Sequence, residues 1–216
     1  MEKKLQIYCI LILGFGCFAN LLSAQNEGYE KVRDVTDFRR QMEAITLNTI
    51  TIRSEFVQEK QLSFMEEPIV SSGQFFFKKE QKIRWEYQQP FSYTVILNDN
   101  NLMINDEGHI HQIDLKGNKT FQEINTTIHH SLQGNIWSNS KDFVPVLWEN
   151  ENFYLIELTP QTKEIKTYLT KINVFFDKKS YQLAKVLMME KDGDFTKITF
   201  QRQKINEPIK DELFRL

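Results

Sequence analysis

Hydrophobic and polar residues alternate most regularly between residues 73 and 90. Two runs in this segment place a bulky apolar side chain at every second position: Phe75, Phe77, Ile83, Trp85 and Tyr87. In the second run all intervening positions, from Lys82 to Gln88, are polar. A period of two residues is typical of a half-buried antiparallel strand, so the segment predicts a hairpin with one aromatic face and one wet face. Pro90 ends the second strand because proline has no amide hydrogen for a sheet ladder.

The rest of the chain predicts a mainly β protein. Apolar residues at 3-4-3 spacing predict one early helix: Val35, Phe38, Met42 and Ile45. A long strand over 49–62 and several shorter ones follow, separated by turns, which indicates an antiparallel meander. No helical crossovers separate successive strands, so the pattern disfavours a parallel sheet. Residues 125–134 and 141–148 are less regular, and we predict short helices or a loop there.

The N-terminus has the features of a secretory signal peptide. A short basic region at Lys3–Lys4 is followed by an apolar run that ends in small residues before Gln25. We predict a signal peptide over residues 1–24 and a single domain over residues 25–216. A transmembrane anchor and a lipid attached to Cys17 are the two alternatives.

The cysteines also lie in the predicted signal peptide, at positions 9 and 17. The mature chain would therefore contain no disulfide, no thiol nucleophile and no thiolate metal site. A secreted domain without disulfides depends on its hydrophobic core for stability. The 216-residue chain is long enough to form such a core after the signal peptide is removed.

Charge and aromatic content narrow the possible partners. The 27 basic and 29 acidic residues are interspersed along the chain, whereas a protein that binds phosphate backbones shows a basic stripe. We therefore expect no nucleic-acid partner. The 17 phenylalanines are unusual for a domain with a polar surface. They require either a large aromatic core or an apolar ligand.

The residues that carry chemistry form no catalytic or metal-binding pattern. His109 and His111 share one face of a strand, but no third metal ligand has a suitable spacing. Ser71 and Ser72 lack the surroundings of a nucleophile elbow, and the chain has no glycine-rich phosphate loop. An esterase that acts on acyl substrates would need a serine and a histidine within reach of each other. We expect a binding protein without enzymatic activity, catalytic residues, metal or cofactor.

The aromatic face of the hairpin has two possible uses. Helical segments could fill the space above it completely and form an ordinary core. They could also cover it loosely and leave an apolar cavity, because curved antiparallel sheets hold apolar ligands in this way. The residues by themselves favour the filled core.

Several short motifs resemble one known family. They are Phe56-Val57-Gln58 on the first long strand, Ser72–Gly73 at the start of the second, FFFKK at 75–79, KIRWEY at 82–87, and Gln89–Pro90. With these motifs the chain resembles the periplasmic outer-membrane lipoprotein carrier protein (LolA) family, in a Bacteroidetes-like version. Beyond Pro90 the resemblance lies only in the order of strands.

The resemblance implies a fold, a ligand and a partner. The fold would be a curved antiparallel β-barrel that is not closed, a half-barrel, covered by a helical lid. Its hydrophobic cavity would take the acyl chains of lipoproteins or other acyl lipids in the periplasm. An inner-membrane lipoprotein-releasing ABC transporter would supply the lipoproteins, and the carrier, a monomer, would deliver them to the outer membrane.

The hairpin and the early helix supply the predicted site residues. We expect an acyl-cavity wall of Phe75, Phe77, Ile83, Trp85 and Tyr87, joined by Val95 and Leu97 if the register of the next strand turns them the same way. Phe38 and Met42 would be lid positions. Lys79 stands where the family has an inward-facing arginine that closes the lid, and its alternative role is a hairpin lysine in water. The functional alternatives are a secreted protein-interaction domain whose aromatic face is only core, and a pathway-specific paralogue that carries another acyl lipid.

Overall fold

The computed structural model describes residues 28–79, 82–98, 101–114 and 142–216. Residues 31–216 form one compact unit, and residues 1–30 form a separate unit of which 28–30 are described. The predicted signal peptide with Cys17 and the segment 125–134 lie outside the described residues. In the described parts, none of the helices combines the length and apolarity needed to cross a bilayer.

Strands dominate the described chain. Their bounds are β1 Glu30–Lys31, β2 Thr51–Gln61, β3 Ile69–Lys78, β4 Lys82–Gln89, β5 Tyr93–Asn98, β6 Asn101–Asp106, β7 His109–Asp114, β8 Phe143–Glu149, β9 Phe153–Pro160, β10 Leu169–Asp177, β11 Leu183–Glu190 and β12 Phe195–Ile205. Two α-helices accompany them, α1 over Thr36–Asn48 and α2 over Lys163–Tyr168. Short 3-10 turns lie at Lys191–Gly193 and Asp211–Phe214.

The strands of residues 31–216 form one antiparallel sheet. Its order is β8-β9-β10-β11-β12-β2-β3-β4-β5-β6-β7, so β2 to β7 are a meander and β12 returns to pair with β2. The sheet does not close into a barrel, because β8 and β7 lie at opposite ends of this order. The prediction of a mainly β fold with an unclosed antiparallel sheet is therefore confirmed.

Helix α1 covers one end of the sheet. It begins at Thr36, whose amide donates to the Asp34 carboxylate at 2.9 Å. Phe38 and Met42 are buried and pack on a shared cluster of β8, β9 and β10 residues: Leu147, Ile156, Leu158, Val174 and Phe176. We call the face of the sheet that α1 covers the inner face and the opposite one the outer face.

The structure corrects the sequence-based assignment in two places. Residues 143–149 form strand β8 rather than a helix or loop, because Leu147 is buried against the inner-face cluster under α1. Arg84 and Glu86, predicted to lie on a wet face, are only 17% and 25% exposed in their side chains. A C-terminal segment, residues 207–216, packs on that part of the outer face and shields it. The period of the strand showed which residues share a face but not what covers that face.

Candidate functional site

All seven residues predicted as the cavity wall lie on the inner face. Two rows of cross-strand pairs run over this face from β3 through β4 to β5. In one row Phe75 opposes Trp85, which opposes Val95. In the other row Phe77 opposes Ile83, which opposes Leu97. Residues directly opposite each other point to the same side of a sheet, so the register places Val95 and Leu97 with the others. Phe75, Phe77, Ile83 and Leu97 are buried, whereas Trp85, Tyr87 and Val95 are half-buried.

These side chains are packed against one another around Phe56. The centroid of the Phe56 ring lies 4.9 Å from that of Trp85 and 5.1 Å from that of Tyr87, and the centroids of Phe75 and Trp85 are 5.1 Å apart. Such tilted and edge-to-face contacts add to the stabilisation that burial of the rings provides. We call this group the aromatic cluster: Phe56, Phe75, Phe77, Ile83, Trp85, Tyr87 and Leu97. Within this cluster the described side chains pack against one another on the inner face.

Gly73 lets two rings of the aromatic cluster meet. Gly73 lies between Phe56 on β2 and Tyr87 on β4 in the register of the sheet. A Cβ atom at this position would lie 1.8 Å from the backbone oxygen of Glu86. Any side chain here would push β3 and β4 apart, and its absence leaves room for the Phe56 and Tyr87 rings to touch over the glycine.

Tyr87 carries a polar group into the aromatic cluster. Its hydroxyl donates a hydrogen bond to Oε1 of Gln58 at 2.9 Å. Burial disfavours the phenolate and raises the pKa of Tyr87 above its usual value. The hydroxyl is therefore a neutral donor at physiological pH and places no charge on the inner face.

A cavity lies beside the aromatic cluster, beneath the C-terminal half of α1. It has a volume of about 350 Å³ and lies between α1, the ends of β10 and β12, the start of β2 and the turn before β11. Apolar residues that line it are Met42, Ile45, Ile52, Phe75, Phe176, Leu183, Phe200 and Ile205. Phe75 and Met42 thus belong both to the predicted site and to the cavity. The other predicted positions in the aromatic cluster, together with Val95 and Phe38, are not among the described residues that line it.

The lining has no charged side chain among its described residues. Its polar members are hydroxyls and amides: Thr46, Asn48, Thr49, Ser54, Ser180, Tyr181, Gln182, Gln203 and Asn206. Some of them are already bonded within the protein. The Ser54 hydroxyl donates to the Gln201 carbonyl at 2.9 Å, and Gln203 Nε2 donates to the Leu183 carbonyl at 2.6 Å. The cavity is therefore apolar with a neutral, hydrogen-bonding rim. Sequence periodicity could not reveal it, because its residues come from six separate segments.

Lys79 reaches the end of α1. Its Nζ donates to the carbonyl of Leu47 at 3.1 Å, and its backbone amide donates to the carbonyl of Ile50 at 2.7 Å. A cation near the C-terminus of a helix is stabilised by the partial negative charge of the unpaired carbonyls. The geometry thus joins the lysine of the β3–β4 turn to the last turn of the predicted lid.

The outer face behind the aromatic cluster is covered by residues that the sequence did not single out. Phe214 is fully buried against Phe76 and Ile96. Asp211 forms salt bridges with Lys78 at 2.6 Å and Lys82 at 3.2 Å, and these partners lower the pKa of its carboxyl. The C-terminal segment therefore braces β3, β4 and β5 from behind. A single Phe in a short polar tail gave no periodic signal for this contact.

Comparison with known proteins links this fold to a family. A family model described as outer membrane lipoprotein carrier protein LolA matches residues 46–216. The match includes β2 to β12 and the last turn of α1, and thus most of the cavity lining. No curated protein matches the chain.

Solved structures are similar to this chain in fold at low sequence identity. An uncharacterized conserved protein from Thermus thermophilus has a TM-score of 0.51 at 7% identity, over 85% of this chain and 94% of that one. The structure of the Pseudomonas aeruginosa MucA/MucB complex gives 0.50 at 10% identity, over 83% and 60%. A LolA superfamily protein from Nitrosomonas europaea gives 0.44 at 13%, over 86% and 99%. At these identities the similarities concern the fold alone.

Proposed function

Because the chain belongs to the outer membrane lipoprotein carrier protein (LolA) family, we propose that it is a carrier that binds the acyl chains of lipoproteins and moves them from the inner to the outer membrane. The observation that carries this proposal is the cavity of about 350 Å³ beneath α1, lined by eight bulky apolar side chains. Ligand pockets in proteins start at about this volume and are mostly apolar with a few polar groups.

The neutral lining suggests the chemical class of the ligand. Burying an ionised carboxylate without a partner is costly, and the described lining offers no cation to pair with it. An acyl chain joined through an ester or amide carries no such charge. Hydroxyls and amides on the rim would bond its carbonyl groups. We therefore expect acyl esters and amides, the linkages of a lipoprotein anchor, to bind better than free fatty acids.

The remaining parts of the proposal follow from the sequence. A cleaved signal peptide would place the protein in the periplasm, where a lipoprotein-releasing ABC transporter of the inner membrane would be its donor. Carriage needs no bond to be made or broken, so the protein would act without catalytic residues or a cofactor. Carriage of another acyl lipid in a dedicated pathway would use the same cavity.

The proposal is tested by identifying what the native protein carries. Lipid is extracted from protein purified without detergent and identified by mass spectrometry. Ile45 lines the cavity from α1, so Ile45→Trp should fill part of the space and reduce the bound acyl lipid. Leu47→Trp is the matched control, because Leu47 lies on the same helix, is 64% exposed and does not line the cavity.

Acyl lipid in the wild type and in Leu47→Trp, but much less in Ile45→Trp, would support the carrier. Equal amounts in all three proteins would show that lipid binds elsewhere. A wild type without any bound lipid, and without uptake of an added acyl probe, would favour a protein-interaction domain in which the inner face is structural.

A further inference from the structure

The junction between α1 and β2 is held by one side chain from the far end of the chain. Only Thr49 and Ile50 separate the helix from the strand. Asn206, directly after β12, lies against this junction. Its Nδ2 donates to the carbonyl of Asn48 at 2.9 Å, and its Oδ1 accepts from the amide of Ile50 at 2.7 Å. The Asn206 amide group thus bridges the last residue of the helix and the residue before the strand.

The orientation of the Asn206 side chain is set by its partners. Its oxygen faces the backbone amides of Ile50 and Thr51, at 2.7 and 3.4 Å, whereas its nitrogen faces a carbonyl. If the side-chain amide were turned over, its nitrogen would face the two backbone amides and its oxygen would face the Asn48 carbonyl. The backbone amide of Asn206 also donates to the carbonyl of Thr51 at 2.9 Å, which fixes Asn206 to β2. Asn206 has φ of +60°, a conformation in which asparagine and aspartate are enriched.

In the last turn of α1, Thr49 bonds the carbonyls of Ile45 and Thr46, whereas the last two carbonyls accept from distant parts of the chain. The final carbonyls of a helix have no partner within it, and the last turn of α1 contains no basic residue. Lys79 bonds the carbonyl of Leu47 and Asn206 bonds that of Asn48. Beneath this turn lies the cavity, and Met42 is the last buried residue of the helix. Packing therefore holds the N-terminal part of α1, while hydrogen bonds hold its end.

We propose that Asn206 is a latch that controls access to the cavity through the last turn of α1, residues 46–48. This inference rests on the proposed function, in which the acyl ligand occupies the cavity beneath α1. The oxygen of the Asn206 side chain stays bonded to the start of β2 in both states. Opening breaks the bond from Nδ2 to Asn48 and frays the last turn, while Phe38 and Met42 keep the rest of the helix on the sheet.

Asn206→Asp removes the bond from the side-chain nitrogen to α1 while it keeps the bond from the side-chain oxygen to Ile50. Aspartate keeps the oxygen that accepts from Ile50 but loses the donor to the Asn48 carbonyl. It also places a negative charge at the negative end of a helix. Amides of residues 45–49 should therefore exchange their hydrogens about fivefold faster or more at pH 7, in ligand-free protein, as expected for the loss of one hydrogen bond. Uptake of a fluorescent acyl ester should be faster by a similar factor.

Acid should reverse the effect in this variant. Below the pKa of the new carboxyl, near 4 for an ordinary aspartate, the protonated group becomes a donor again and its charge disappears. Exchange at residues 45–49 should then approach that of the wild type measured at the same pH. A residue that merely stabilised the fold would change exchange throughout the sheet and would show no such local recovery.

Asn150→Asp is the matched control, because it makes the same chemical change in the β8–β9 turn. There Oδ1 accepts from the amides of Asn152 and Phe153 at 2.9 and 2.7 Å, and aspartate keeps both bonds. Equal exchange at residues 45–49 in the two variants would overturn the latch. Faster exchange at residues 45–49 in Asn206→Asp but not in Asn150→Asp would support the latch. If the wild type took up no acyl ester, the carrier function would be rejected, but the exchange result would still support the latch.

Discussion

The aromatic cluster and the cavity share one face of one sheet. The described side chains of the cluster pack against one another, and we call this the filled region, whereas the second region encloses a cavity. Around Phe56, rings from three neighbouring strands reach each other at centroid distances near 5 Å. Beneath α1, the residues beyond Met42 are mostly small or polar, namely Ala44, Thr46, Asn48 and Thr49. Gln203 near the end of β12 and Asn206 just after it face them across the cavity. Small and polar side chains at these positions leave space between the larger residues of the lining, such as Ile45 and Ile205.

The aromatic cluster and the cavity lining should differ in how well they tolerate a polar substitution. A packed interior cannot accept a polar group without losing contacts or rearranging its neighbours. A cavity with a hydrogen-bonding rim has room for one. Phe75 belongs to both regions. Substitutions in the aromatic cluster on one side of it should lower stability, whereas substitutions in the cavity lining on the other side should weaken ligand binding.

The largest difference is expected between Ile83→Glu and Ile205→Glu. Ile83 is 7% exposed within the aromatic cluster, so a carboxylate there should cost several kcal/mol and unfold much of the protein. Ile205 is half-buried and lines the cavity, so the same change should abolish acyl binding while the fold persists. Urea denaturation and acyl-probe titration distinguish the two outcomes. A folded Ile83→Glu variant that had lost only its acyl ligand would place the binding site in the aromatic cluster instead.

Removal of Phe214 tests whether the filled region depends on its outer cover. Phe214 is fully buried against Phe76 and Ile96, so Phe214→Ala should lower the free energy of unfolding by about 3–5 kcal/mol. The protein that remains folded should bind an acyl probe with unchanged affinity, because Phe214 does not line the cavity. Leu216→Ala, at a position that is 42% exposed, is the control and should change little. A parallel loss of affinity in Phe214→Ala would mean that the two regions are coupled.

Gly73→Ala should have a smaller but still specific effect. The added methyl group would meet the Glu86 carbonyl and force β3 and β4 apart, at a cost of about 1–3 kcal/mol for overpacking. The contact between Phe56 and Tyr87 should loosen, which near-ultraviolet circular dichroism would detect. Ser72→Ala, at the neighbouring half-buried position, is the comparison and should preserve both signals. An unchanged melting temperature in Gly73→Ala would show that the two strands can separate freely here.

Much of the fold could be predicted because it depends on local periodicity. The alternation from Ile83 to Tyr87 placed three side chains on one face, and the 3-4-3 spacing from Val35 to Ile45 located α1. Strand β8 was missed because Phe143, Leu147 and Trp148 do not alternate cleanly and are interrupted by Pro145. Period alone does not distinguish a short strand of that kind from a helix or a loop.

The candidate site could be predicted only in part. The register of β4 and β5 places the predicted wall residues on one face. Whether rings fill the space above them depends on distances between distant segments. The cavity is defined by residues as far apart as Ile45 and Asn206, and no spacing rule connects these positions. From the family resemblance, Lys79 stands at the position of a lid-closing arginine, and its Nζ bonds the Leu47 carbonyl in the last turn of α1. A role for Lys79 in closure stays a prediction.

The smallest expected effect concerns Lys79 and tests whether the cavity region has a closure that the filled region lacks. Lys79 is exposed, and a cation at a helix C-terminus contributes roughly 0.3–1 kcal/mol. Lys79→Leu should therefore leave the melting temperature almost unchanged and increase the rate of acyl-probe uptake about twofold to fivefold. Lys79→Arg keeps a donor for the Leu47 carbonyl and should take up the probe no faster than the wild type. Lys163→Leu, at an exposed position on α2, controls for the loss of one positive charge. Identical uptake rates in all four proteins would show that Lys79 is only a turn lysine with no part in closure. The position of the end of α1 would then depend on Asn206 or on packing alone.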